Sequence, residues 1–236
     1  MEHPAFHYRG AGHAFSGELR RPIQQVVEAQ ACVSLPRAGG HARARTENFQ
    51  IPQLVSFAKG YSHVSGTQAN GKHHTQSTVI VEHLNILDVV TADRMVGRLT
   101  SEHDPNEPEG HIIAVGSHID NLKISGCLVK IEWDHDLFLK HKTYEALSKH
   151  LAGGKKSGKM GTDKVTLCSL AKNIEVACPG VEVDGHVITV KHFGKIFVGE
   201  VENSHGMKRM TMLRLELGSP ADGRFSVGEF CTNGHP

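Results

Sequence analysis

The chain has 236 residues, 39% of them hydrophobic, 6% aromatic, and a formal net charge of +1 at pH 7. That length buries a core without staples, and the near-zero charge offers no field to draw nucleic acid or an anionic membrane. No apolar run reaches the ~20 residues of a membrane-spanning helix. The start, Met1-Glu2-His3-Pro4-Ala5, lacks the basic and apolar regions of a Sec leader, so a cytoplasmic location, or export by another route, is expected.

Residues 1–20 are rich in Gly, His and aromatics without a period, and read as an N-terminal arm. Residues 21–236 read as a single β-rich domain. Val26, Val27, Ala29, Ala31 and Val33 make a strand of residues 21–35, its later part alternating. Residues 36–46 read as a solvated Gly/Arg loop, with Arg37, Arg43 and Arg45 as an alternative surface for a phosphate or a carboxylate. A strand over 51–61 leads to a polar stretch with Asn70-Gly71, the strongest hairpin signal in the chain. Residues 77–86, 89–90 and 95–99 are β-rich, with a short turn starting at Thr91-Ala92-Asp93 as the alternative to continued strand. After a loop at 102–110, residues 111–133 give two or three strands broken at Gly116 and Gly126.

One helix is predicted over 136–151, with Leu137, Phe138, Tyr144, Leu147 and Leu151 on one face and Gly153-Gly154 as its stop. With the basic loop at 155–164 it forms an insertion at about 136–164. Strands then return. Asp184-Gly185 marks a hairpin. Residues 187–190 and 196–201 are strands. Leu213, Leu215 and Leu217 alternate with polar neighbours, as in an edge strand free to pair. Phe225, Val227 and Glu229 form the last short strand. Many short strands with turns about every ten residues predict an all-β fold, a β-sandwich or jelly roll with one helical insertion; a β-helix is the alternative.

A near-repeat stands out. Val81-Glu82-His83-Leu84-Asn85-Ile86 and Ile119-Asp120-Asn121-Leu122-Lys123-Ile124 share the pattern apolar-x-x-Leu-x-Ile. Residues 82–93 resemble the "GLNLLGGLVTAD" segment of bacterial choice-of-anchor proteins. Gly116-Ser117-His118-Ile119-Asp120-Asn121-Leu122-Lys123-Ile124-Ser125-Gly126 is similar to their "GSxxxNLxIxG" segment. Residues 213–234 resemble their final strand pair. The resemblance covers about half the chain, mainly 77–130 and 181–236, and implies a β-rich, surface-associated protein without catalytic residues to carry over. The chain departs from that pattern in its many histidines and in lacking a leader.

The chemistry-bearing residues are dispersed. Eighteen histidines, dispersed except for His73-His74, read mostly as surface or satisfied core residues, with pH-sensitive assembly as the next reading. The sharpest catalytic candidate is His118-Ile119-Asp120: on a strand, residues i and i+2 share a face. With His205 as a distant third ligand and Arg214 for an oxoacid, they imitate an Fe(II)/2-oxoglutarate oxygenase, an enzyme on a jelly roll that takes Fe(II) or another divalent metal. Gly153-Gly154-Lys155-Lys156-Ser157-Gly158-Lys159-Met160 misses a P-loop at Met160 and reads as a linker. Asp134-His135-Asp136 reads as a solvated turn or helix cap. The five cysteines, Cys32, Cys127, Cys168, Cys178 and Cys231, show no C-x-x-C pair and read as reduced thiols, with a Cys168–Cys178 bridge left open. No serine lies in a nucleophile elbow. The expected function is non-enzymatic: a structural or interaction protein that self-assembles as a homo-oligomer through β edges and the arm, with no cofactor. The alternatives are the metal-dependent oxygenase and a carbohydrate- or peptide-binding sandwich.

Overall fold

Alternating apolar and polar residues turn most of this chain into strands, and the chain deals them to two sheets in blocks. The computed structural model describes residues 6–107, 109–152, 158–160, 165–203 and 208–235. The first block is β1 (His7–Arg21), β2 (Gln25–Gln30) and β3 (Val33–Ser34). The second is β4 (Gly40–Ile51), β5 (Val55–Ala69), β6 (Lys72–Ile86), β7 (Val90–His103), β8 (His111–Ile113), β9 (His118–Asp120), β10 (Lys123–Ile124) and β11 (Cys127–Trp133). Two helices follow, α1 (Leu137–Lys140) and α2 (Tyr144–Ala152). The chain ends through β12 (Gly158–Met160), β13 (Val165–Ser169), β14 (Ala171–Val176), β15 (Val181–Asp184), β16 (Val187–Val190), β17 (Gly194–Asn203), β18 (Lys208–Leu217) and β19 (Asp222–His235).

The ten-stranded sheet runs β12-β13-β17-β18-β19-β1-β2, with β3 also on β1 and the β15–β16 hairpin attached to β17. The nine-stranded sheet runs β14-β11-β10-β7-β6-β5-β4, with β8 and β9 on β7. Neighbours pair antiparallel, and the inner faces share one large apolar core beside a small cluster of Tyr8, Val33, Leu35 and Val64. This is the expected β-sandwich. A β-helix would need parallel coils.

Both sheets carry a crease. Along β6 the buried positions of the inner face are Thr75, Ser77, Val79 and Val81, then Leu84 and Ile86, with Thr78 buried on the other face, so the inward phase slips by one at His83. On β5 the slip falls between Phe57 and Gly60, and on β7 between Ala92 and Met95. The cross-strand registers place Asn48, Ala58, His83, Asp93 and Asn121 in one row. Asn48, His83 and Asn121 have φ of 50°, 54° and 51°. A left-handed residue turns the next side chain to the other face, as in a β-bulge. The near-repeat is this device: His83 and Asn121 occupy the same place in it, each after an acid and before a buried Leu. Glu47-Asn48-Phe49-Gln50-Ile51 is a third copy that the leucine pattern hid. The ten-stranded sheet repeats the row with Gly199, Met212, Gly228 and Ala14 in register, and Gly199 and Gly228 both have φ of 62°.

Beyond the crease the sheets differ in what fills the gap. On one side Phe15, Phe49, Phe57 and Phe225 pack with centroid separations from 4.9 to 6.2 Å. On the other the sheets come close: a Cβ on Gly12 would lie 3.1 Å from Val79, and one on Gly97 2.3 Å from Phe230. There Ser77 Oγ donates to the Cys231 carbonyl at 2.7 Å, and Thr75 Oγ1 to that of Asn233 at 3.2 Å.

Several expectations change. Residues 7–20 of the arm form most of β1, hydrogen-bonded to β19 and β2. Its inward residues include Gly10, Gly12 and Ala14, small because the other sheet is near, which blanked the strand signal. Leu213 to Leu217 is no edge: β18 lies between β17 and β19. Thr91-Ala92-Asp93 lies within β7. The single helix is two short ones, which bury Leu137, Phe138 and Leu147. The hairpins at Asn70-Gly71 and Asp184-Gly185 are present. Cys178 bonds to Cys127, not to Cys168, whose buried thiol is pushed up to about 12. Residues 153–157 and 161–164, most of the basic loop, lie outside the described residues. No described helix is long and apolar enough to cross a membrane.

Candidate functional site: outer face, histidine end and free edges

The outer face of the nine-stranded sheet gathers the residues singled out in sequence. Alternation sends Arg43, Arg45 and Glu47 of β4 outward while Ala42 and Ala44 turn in. Register then builds two rows across five strands: Arg45, Tyr61, Ile80, Val96, His118, and beside it Glu47, Lys59, Glu82, Arg94, Asp120. The second row alternates in sign, with Lys59 and Arg94 each 3.7 Å from Glu82 and Arg45 paired to Glu47. Exposed pairs of this kind contribute at most about 1 kcal/mol each. A groove of about 560 Å³ lies over the rows, lined by Arg43, Arg45, Lys59, Tyr61, Ile80, Glu82 and Arg94 among others. Arg37 does not line it.

His118 and Asp120 do share a side, as strand geometry requires. Nε2 lies 3.7 Å from Oδ2, both groups are about half exposed, and Nδ1 contacts the Gly116 carbonyl at 2.9 Å. His205 lies outside the described residues. Among the described residues no group of three His, Cys, Asp or Glu side chains is placed to hold a metal. Arg214 is committed elsewhere. It lies 3.6 Å above the Phe197 ring and donates twice to Glu200, at 2.6 and 3.0 Å. His186 adds a contact of 3.3 Å to Glu200. Burial alone would raise the Glu200 carboxyl, but His186 and Arg214 outweigh it and hold the group below the usual carboxylate range.

Sequence reasoning did not single out a second cluster, at one end of the sandwich. His73 and His103 are cross-strand neighbours on β6 and β7. The Phe6 ring stacks on His73 at 3.9 Å, and the Tyr8 hydroxyl shares a 2.8 Å hydrogen bond with His73 Nδ1. His103 is buried, and its Nδ1 has no hydrogen-bond partner among the described residues. Burial lowers the pKa of both rings. For His73 the neighbouring His103 and His74 add to this; for His103, Asp104 and Glu107 oppose it and His111 adds. Lys208, with a side chain only 2% exposed, donates to Glu109 Oε1 at 3.1 Å. The same oxygen accepts the Tyr144 backbone N–H at 2.9 Å. Burial lowers the Lys208 pKa against that partner. The signal for this end was His73-His74 alone, since its partners come from distant strands.

The third feature is edge strands. β2 and β4 end the main strand paths of the two sheets on one flank, linked where Ala31 N–H donates to Thr46 Oγ1 at 2.9 Å. Ile23 and Val26 are 68% and 72% exposed there. Among the described residues β15 pairs only with β16.

An antiparallel sandwich with a charged outer face and free edges is a class defined by its fold rather than by a catalytic centre. The family described as a domain of unknown function, DUF8256, matches residues 6–159 and 141–204, and the chain belongs to it. No curated protein and no solved structure matches the chain. Nothing in these comparisons supports the choice-of-anchor resemblance.

Proposed function

We propose that this is a non-enzymatic structural or interaction protein that self-associates through its strand edges. The observation that carries the reading is the flank formed by β2 and β4. Two neighbouring strands there leave ladder groups unpaired, with Ile23 and Val26 in solvent beside them. Exposed edges and isolated large apolar groups are what a second chain covers. Light scattering across a concentration series at neutral pH tests it. A mass that rises with concentration is expected, and a monodisperse monomer throughout would overturn self-association.

A second reading keeps the outer groove as a binding site for a peptide or carbohydrate. Tyr61 and Ile80 supply an apolar floor, and Arg43, Arg45, Lys59 and Arg94 outnumber Glu82. The oxygenase reading retains only the His118–Asp120 contact.

A further inference from the structure

Two of the edge strands among the described residues carry opposite charge. β4 carries Ala42-Arg43-Ala44-Arg45, with the arginines exposed and the alanines half-buried. β15 carries Val181-Glu182-Val183-Asp184, and both its acids are exposed. Among the described residues β4 is bonded only to β5, and β15 only to β16. Among the described residues Glu182, Asp184 and Arg43 make no ion pair, while Arg45 reaches Glu47 of its own strand.

We propose that copies assemble head to tail, with β4 of one adding antiparallel to β15 of the next, Arg43 opposite Asp184 and Arg45 opposite Glu182. The proposal rests on the self-association reading and names its surfaces. Same-face residues on a strand repeat every ~6.7 Å, so two arginines and two carboxylates at i and i+2 fall opposite one another. Opposite charges across a strand pair are favourable, and a guanidinium can grip a carboxylate with two hydrogen bonds. In that register Ala44 faces Val183, whose side chain is 37% exposed. Arginines on β4 oppose pairing of β4 with itself, and the acids do the same for β15, so charge selects the unlike pair. The contact is heterologous, and copies add on until a ring closes or a filament runs on.

Sedimentation of the full chain at low and high salt tests this. Wild type is expected to assemble at low salt and to dissociate as salt screens the pairs. Arg43→Glu/Arg45→Glu, and separately Glu182→Arg/Asp184→Arg, should each fall to the 25.7 kDa of one chain, with unchanged circular dichroism. Their equimolar mixture should assemble again, as should one chain carrying all four changes. If the reversed variants assemble like wild type, or their folded mixture stays monomeric, the pairing is overturned and self-association stands. If Val26→Lys dissociates the assembly while Arg43→Glu/Arg45→Glu leaves it intact, the β2 edge is the interface and the pairing is again overturned. A wild type monomeric at every salt and concentration removes both.

Discussion

Replacing Gly97 by Ala tests how tightly the thin half of the sandwich is closed. A methyl there would lie 2.3 Å from Phe230 Cε1, 2.7 Å from Cζ and 2.9 Å from Met212 Cγ. Carbon atoms settle at about 3.5–4.0 Å, so the Phe230 ring must retreat by over an ångström. It is 1% exposed and Met212 is fully buried. Overpacking of this kind costs about 1–3 kcal/mol. Gly10→Ala is the control: its nearest neighbours would stand at 3.4–3.5 Å, ordinary contact, and the stiffer unfolded chain favours Ala by about 0.4–1 kcal/mol. Urea midpoints at constant m should therefore separate the two variants by about 1.5–4 kcal/mol. Adding Phe230→Leu should restore part of the Gly97→Ala loss, a coupling of about 0.5–3 kcal/mol. A Gly97→Ala protein as stable as Gly10→Ala, or strict additivity with Phe230→Leu, would refute the close approach.

Three further outcomes are expected. Glu109→Ala removes the carboxylate oxygen that Lys208 and the Tyr144 N–H share, and should lose about 1.5–3 kcal/mol in urea; Lys208→Met with Glu109→Gln should lose less. The folded pKa values of His73 and His103 lie below the unfolded value of about 6.5. Above that pH both states are neutral, and as pH falls through it the unfolded chain takes up protons the fold refuses. Stability should thus decline from about pH 6.5 downward, and a His73→Gln/His103→Gln double variant should show a flatter urea midpoint against pH. Finally, protein purified without a histidine tag should carry no stoichiometric metal, and His118→Ala should change nothing; iron lost on both His118→Ala and Asp120→Ala would establish the oxygenase reading.

The sandwich was legible because alternation is local. The Asn70-Gly71 hairpin and the shared side of His118 and Asp120 follow from a few adjacent residues. What was hidden depends on the opposite sheet. Gly10 and Gly12 do not look like strand until Thr75 and Val79 are known to lie over them, and Leu213 to Leu217 passes for an edge until Arg214 is seen lying on Phe197 and bound to Glu200. The histidine end needs Phe6, His73 and His103, almost a hundred positions apart, and Glu182 and Asp184 gain interest only once β15 proves to be an edge.

The crease behaves like a compensated frameshift. Each strand is read in one phase up to the row and in the other phase beyond it, and opposite residues share a face, so no strand can change phase alone. Restoring plain alternation at His83 would leave Leu84 and Ile86 in solvent while β5 and β7 still turned their neighbours inward. The left-handed positions at 48, 83 and 121 are therefore tied to one another more tightly than to the residues beside them in the chain. Drift in any one is held in check by strands it does not follow in sequence.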